Sequence, residues 1–153
     1  MKYIEAELTE QKIIGIAVRT DNSAAGAQKI AALWQKFHQE KVLDKITAEK
    51  VSDEIFAIYT DYEGDHTKPY KFILGVKVFD FDDVPAGMIT HVIPEQKYAV
   101  TTAIGAMPQA VIKEWKKIWG SDLERKYSSD FEIYNEDSDL GDDSEVEIYI
   151  SVK

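Results

Sequence analysis

Apolar residues alternate with polar ones in a series of short stretches along this chain, and recur every three to four positions in two longer ones. Alternation sends successive side chains to opposite faces of a β-strand. It predicts strands at Tyr3–Leu8, Lys12–Arg19, Ile55–Asp61, Tyr70–Val78, Met88–Ile93, Lys97–Ile104, Phe131–Asn135 and Glu145–Val152. Ile30, Leu33, Trp34 and Phe37 fall on one face of a helix over Ala24–Glu40, with Asn22 and Ser23 available to cap it. A second helix carries Pro108 in its first turn, Val111, Trp115, Ile118 and Trp119 on one face, and a stop at Gly120. "KVLDKITAEKVSDE" reads as a polar connector with a helical turn, and "DFDDVPAG" as the link between two halves.

Each half then runs strand pair, helix, strand, strand. Trp34 corresponds to Trp115, Phe56 and Tyr59 to Phe131 and Tyr134, and Leu74 to Ile150, at offsets of 81, 75 and 76 residues. Ordered matches whose drift is confined to loops indicate an internal duplication. The predicted fold is α+β: duplicated β-α-β-β units related by a pseudo-two-fold axis, antiparallel sheets, and one main helix per half. The chain is expected to form a single domain over residues 1–153, with halves at about 1–80 and 86–153. A groove where such halves meet is a natural small-molecule site.

Strand parity sorts the side chains. In "EVEIYISVK", Val146, Ile148, Ile150 and Val152 form the apolar side, leaving Glu145, Glu147, Tyr149 and Ser151 opposite. Phe131 and Ile133 are core positions, leaving Glu132 and Tyr134; Phe56 and Ile58 are core, leaving Ala57, Tyr59 and Asp61. The non-core face is therefore expected to gather Tyr59, Tyr134 and Tyr149 around Glu147. A solvated sheet surface and an aromatic-walled cleft with a carboxylate near its floor both fit that pattern. In the cleft reading, a desolvated carboxylate among electron-rich rings suits a flat, lipophilic organic cation. Lys71 and Ile73 share the nominal face, and Lys71 is the counterpart of Glu147 at the 76-residue offset. A Lys71–Glu147 ion pair is the competing arrangement. Gly75 is expected to open room in the groove wall.

Composition narrows the partners. The chain has 153 residues, 28 acidic against 18 basic, and a net charge of −10. Its basic residues are scattered and only two are Arg, so the phosphate-neutralising stripe of a nucleic-acid binder is missing. No cysteine is present, which excludes disulfide and thiolate chemistry. "MKYIEAELTEQ" lacks a signal-peptide core and no apolar run reaches membrane-spanning length, so a cytoplasmic location is expected.

"FAIYTDYEGDHTKPYKFILGVKV", "GMITHVIPEQKYAVTTAIG", "PQAVIKEWKKIW" and "SSDFEIYNEDSDLGDDSEVEIYISVK" together resemble the GyrI-like small-molecule-binding domain. That family includes the effector-binding domains of AraC-type and MerR-type multidrug regulators, and the acidic turn before "SEVEIYI" is the most specific part of the match. The resemblance implies a cleft between two β-α-β-β units, lined by aromatics, with a last-strand glutamate contacting lipophilic cations. On this sequence that maps to Glu147 and Tyr149, with Tyr59 and Tyr134 at the matching "IY" positions and Trp119 near the cleft. Trp34 and Trp115 lie on the same helices, where a core role is the plainer reading. Family regulators carry a DNA-binding region ahead of this domain. Here the pattern begins at the first residues, so operator binding by this chain alone is not expected.

Three readings follow. The first is a stand-alone binding protein for cationic, aromatic small molecules, with Glu147, Tyr149, Tyr59, Tyr134, Trp119, Lys71 and Ile73 at the site. The second is a hydrolase of cyclopropanoid toxins, with Glu147 as catalytic base beside a cleft tyrosine. The third is a protein-inhibitory module of the gyrase-directed kind. No nucleotide, hydrolase-elbow or zinc motif occurs, and His38, His66 and His91 are too dispersed to make a ligand set. The acidic clusters do not follow the EF-hand spacing. No cofactor and no metal are expected.

Overall fold

The structure is a computed structural model, and it describes residues 3–153. Its strands are β1 (Ile4–Leu8), β2 (Gln11–Thr20), β3 (Lys50–Thr60), β4 (Tyr70–Val78), β5 (Ile89–Ile93), β6 (Gln96–Ile104), β7 (Asp130–Tyr134) and β8 (Glu145–Val152). The helices are α1 (Ala24–Gln39), a short α2 (Val42–Lys45) and α3 (Gln109–Trp119). Ser23 caps α1 by accepting the Gly26 amide at 3.1 Å, and α3 ends at Gly120. Among the described residues no helix is long and apolar enough to cross a membrane.

All eight strands join one antiparallel sheet in the order β1-β6-β8-β7-β3-β4-β2-β5. Exchange each strand for its counterpart in the other half and the order reads the same from the opposite edge. The pseudo-two-fold axis therefore passes between the central strands β3 and β7. Phe56 pairs with Ile133 and Ile58 with Phe131, symmetrically about the pair Ala57–Glu132. The 75-residue offset that carries Tyr59 onto Tyr134 also carries Ala57 onto Glu132. The axis thus runs through a residue and its own counterpart.

Both faces of the sheet carry a core. On the helix face α1 lays Leu33 and Phe37 over Ile14, Ile16, Phe72 and Leu74, while α3 lays Val111, Trp115 and Ile118 over Val146, Ile148 and Ile150. On the other face Ile13, Phe56, Ile58, Ile73, Ile93, Tyr98 and Phe131 form a second cluster, with Leu8 packed against it. A cluster that joins Leu8 and Ile93 from opposite edge strands to Phe131 in the middle forms only if the sheet curls over that face. The curl explains why the central strands have no solvated side.

The second core corrects the face assignment. Parity within each strand holds, but the apolar sides of β3 and β7 do not meet the helices. Phe56, Ile58, Phe131 and Ile133 belong to the back core, so Ala57, Tyr59, Glu132 and Tyr134 are the residues that look toward α1 and α3. In β8 the opposite holds: Val146, Ile148 and Ile150 meet α3, and Glu147 and Tyr149 point back. The pairings Ile133–Glu147 and Phe131–Tyr149 fix this relation. With Ile58 opposite Ile73 and Ile133 opposite Glu147, the structural counterpart of Glu147 is Ile73 rather than Lys71. Gly75 also differs from expectation. A Cβ there would lie 2.4 Å from the Ile14 carbonyl oxygen, so this glycine permits close approach of β2 and opens no groove.

Candidate functional site

Between α1 and α3, over β3 and β7, lies a cavity of about 860 Å³. Glu132 forms part of its lining from the middle of the sheet, and its residue is only 1% exposed. Three donors converge on the carboxylate. Tyr134 Oη donates to Oε1 at 2.7 Å; Tyr59 Oη and Trp115 Nε1 donate to Oε2 at 2.8 and 2.6 Å. Tyr59 and Tyr134 are pseudo-symmetry mates, so the axis that passes through Ala57 and Glu132 relates the two phenols that hold the acid. The aromatic walls repeat the relation: Trp115 packs on Tyr59 with ring centroids 4.9 Å apart, and Trp34 on Tyr134 at 4.8 Å.

The acid is embedded among neutral groups. Burial pushes the Glu132 carboxyl above the usual glutamate range, and the bonds from Tyr134, Trp115 and Tyr59 offset part of that shift. Burial, followed by the charge of Glu132, drives Tyr59 and Tyr134 well above the ordinary tyrosine value, so both remain donors throughout the accessible pH range. Among the described residues no Lys, Arg or His forms an ion pair with Glu132. A buried carboxylate with no cationic partner is costly, and the three donors are what replaces water around it.

Toward one end of the cavity Arg125 pairs with Asp130, Nη2 to Oδ2 at 2.8 Å, with side chains 6% and 0% exposed. Tyr62 Oη donates to the same Asp130 oxygen at 2.6 Å, and the other oxygen accepts the Ser151 amide at 2.6 Å and its hydroxyl at 2.8 Å. Burial works most strongly against the Arg125 charge, but Asp130, Tyr62 and Tyr127 together offset it and the guanidinium is held more firmly protonated than usual. At the rim, His38 stacks on Trp34 and His66 on Trp119, with centroids 5.8 and 5.4 Å apart.

Of the residues singled out from sequence, Tyr59, Tyr134 and Trp119 line this cavity. Glu147, Tyr149, Lys71 and Ile73 do not; they belong to the opposite face of the sheet. Glu147 is exposed, and Lys71 approaches Asp61 at 3.8 Å, so the Lys71–Glu147 pair does not form. Tyr149 stacks on Phe131 at 4.7 Å within the back core. Glu132, Arg125 and Asp130 are the residues that sequence reasoning left aside, while Trp34 and Trp115, read there as more plainly core, line the cavity. Glu132 carried one legible signal, as the polar residue two before Tyr134 on a strand whose counterpart position holds the small Ala57.

The sheet topology and the cavity on its helix face define a GyrI-like effector-binding domain. The chain belongs to the Cass2 family of integron-associated effector binding proteins, whose pattern it matches over residues 6–152. YobU of Bacillus subtilis is 28% identical over 149 residues, covering 94% of this chain and 92% of YobU. The transcriptional regulator BrlR of Pseudomonas aeruginosa is 27% identical across 99% of this chain, which spans 57% of BrlR. Two solved structures superpose closely. SAV2435 bound to tetraphenylphosphonium gives a TM-score of 0.83 at 25% identity, covering 100% of this chain and 94% of that one. An integron cassette protein of Vibrio cholerae gives 0.77 at 28% identity, covering 100% and 97%.

Proposed function

We propose that the cavity binds lipophilic aromatic cations, with Glu132 as charge partner and Tyr59, Tyr134, Trp115 and Trp34 as the walls. The observation that carries this reading is the buried Glu132 carboxylate, held by three neutral donors at the cavity lining and unpaired with any cation of the described chain. A cationic guest supplies the missing charge. Electron-rich phenol and indole faces add about 0.5–2 kcal/mol for each cation–π contact. Together with burial of the guest's apolar surface, this supports affinity in the micromolar range, roughly −8 kcal/mol. Tetraphenylphosphonium in the related SAV2435 is a ligand of this chemical class.

The test is a titration of intrinsic tryptophan fluorescence with tetraphenylphosphonium. Trp34 and Trp115 flank the cavity, so binding should quench emission. Glu132→Gln should weaken that response at least about ten-fold while circular dichroism stays native. An unquenched wild-type protein at millimolar ligand would remove the reading.

A further inference from the structure

The two main helices bring corresponding positions to the cavity. The 81-residue offset that carries Trp34 onto Trp115 also carries Ile30 and Ala31 onto Val111 and Ile112. It carries Ala27 onto Pro108, just before α3, and His38 onto Trp119. Each residue that α1 gives to the lining thus has its counterpart in the lining. The pairs agree in place and differ in bulk. Ala27 and Ala31 stand where the α3 side has a pyrrolidine ring and a branched four-carbon chain. Where both members are large, the α1 member is the more open: Ile30 and Trp34 are half-buried, Val111 and Trp115 buried.

The helices run in opposite directions across the cavity. Asn22, just ahead of α1, donates its side-chain amide to the His66 carbonyl at 2.8 Å, and the His66 ring stacks on Trp119 in the last turn of α3. The start of α1 and the end of α3 therefore share one end of the cavity. At that end the small Ala27 and Ala31 stand across from Trp115 and Trp119. At the other end, Pro108 and Ile112 stand across from Trp34 and His38, and the space is fuller.

We infer that Ala31 sets the shape preference of the site: the favoured cation carries a flat aromatic arm on one side of its charge, laid at the Ala27–Ala31 end. This rests on the cation reading above and adds a direction to it. Glu132 lies at the pseudo-two-fold axis, so a guest that is itself symmetric leaves this end unfilled.

Methyltriphenylphosphonium and (1-naphthylmethyl)triphenylphosphonium carry the same charge and differ in one arm. By calorimetric titration, the naphthylmethyl probe should bind on the order of ten-fold tighter, the return on about 60 Å² of apolar surface. Ala31→Ile installs the residue of the counterpart position, and should bring the ratio to about one. Ala31 is exposed on its helix, so the exchange leaves the core alone. A wild-type ratio of one or less overturns the inference, and that measurement needs no variant to fold. A ratio that survives in folded Ala31→Ile overturns it as well, because the arm then lies elsewhere. Absence of binding by both probes removes the cation reading itself, whereas binding of the methyl probe without a gain for naphthylmethyl removes only the role of Ala31.

Discussion

Ala57 and Glu132 stand directly opposite one another across β3 and β7, and each is the other's counterpart in the repeat. A symmetry axis through a side-chain pair leaves room for one functional group, and the asymmetry of the pair decides what the cavity is. Ala57 contributes only a methyl group, so the space beside the axis is left to the Glu132 carboxylate and the two phenols. Ala57→Leu should fill that space. Tetraphenylphosphonium affinity should fall at least about ten-fold, while overpacking costs roughly 1–3 kcal/mol of stability. Parallel ligand titration and urea denaturation check both parts; unchanged affinity would show that the floor of the cavity lies elsewhere.

The carboxyl of Glu132 binds its proton more tightly in the folded chain than in the unfolded one. Its contribution to stability is therefore complete below the ordinary glutamate pKa of about 4.3, and is lost as pH rises through the higher folded value. Glu132→Gln has no such proton to lose. The variant should gain stability relative to wild type as pH is raised from about 4, in denaturant midpoints taken across the acidic range. Cation affinity of the wild type should rise over the same interval, because the guest requires the ionised acid. A difference between the two proteins that is independent of pH would contradict the assignment.

Tyr59→Phe and Tyr134→Phe each delete one donor to the same acid and leave the ring packing in place. Hydrogen bonds to a charged acceptor contribute about 1.5–3 kcal/mol. Loss of the Tyr134 hydroxyl should cost more, because it is the one donor to Oε1, whereas Oε2 keeps Trp115 when Tyr59 is changed. The double variant should lose more than the sum, because Trp115 then remains as the single donor to a buried charge. Chemical denaturation of the three proteins measures it.

Asp130→Ala removes the partner of a buried guanidinium together with the acceptor for Tyr62 and Ser151. Breaking a buried pair in this way costs about 3–5 kcal/mol. The loss should appear as a lower denaturant midpoint, and a change below about 1 kcal/mol would mean that Arg125 finds another acceptor.

Glu147→Gln should alter neither cation affinity nor stability by more than about 0.5 kcal/mol, since the residue is exposed on the face away from the cavity. The same titration and denaturant midpoint decide it. Loss of binding in this variant would return the site to the back of the sheet.

That last contrast marks the boundary of what the sequence discloses. Periodicity located every strand to within a few residues except β3, whose first residues Lys50–Glu54 lie in the polar connector before a register shift. The duplication was visible in Trp34 and Trp115, Tyr59 and Tyr134, and the palindromic sheet bears out the α+β repeat. Parity also placed Glu132 with Tyr134 and Glu147 with Tyr149. What alternation cannot say is which side of a strand meets a helix when both sides are buried. Phe131 and Ile133 look like the helix-facing positions of an ordinary two-layer fold. Their burial comes instead from Leu8, Ile93 and Tyr98, brought over by the curl of the sheet. That information lies in the pairing of β7 with β8, between residues far apart in the chain.

Each main helix rests chiefly on strands of its own half, α1 on β2 and β4 and α3 on β6, and reaches the other half through an indole, Trp34 on Tyr134 and Trp115 on Tyr59. Beneath the cavity, the central strands are clamped from behind by the second core. The molecule is thus a firm anvil bearing two jaws, each seated in its own half and crossing the seam with an indole ring. A guest entering between the jaws would meet an indole from each, over an acid whose place on the anvil the rear layer secures.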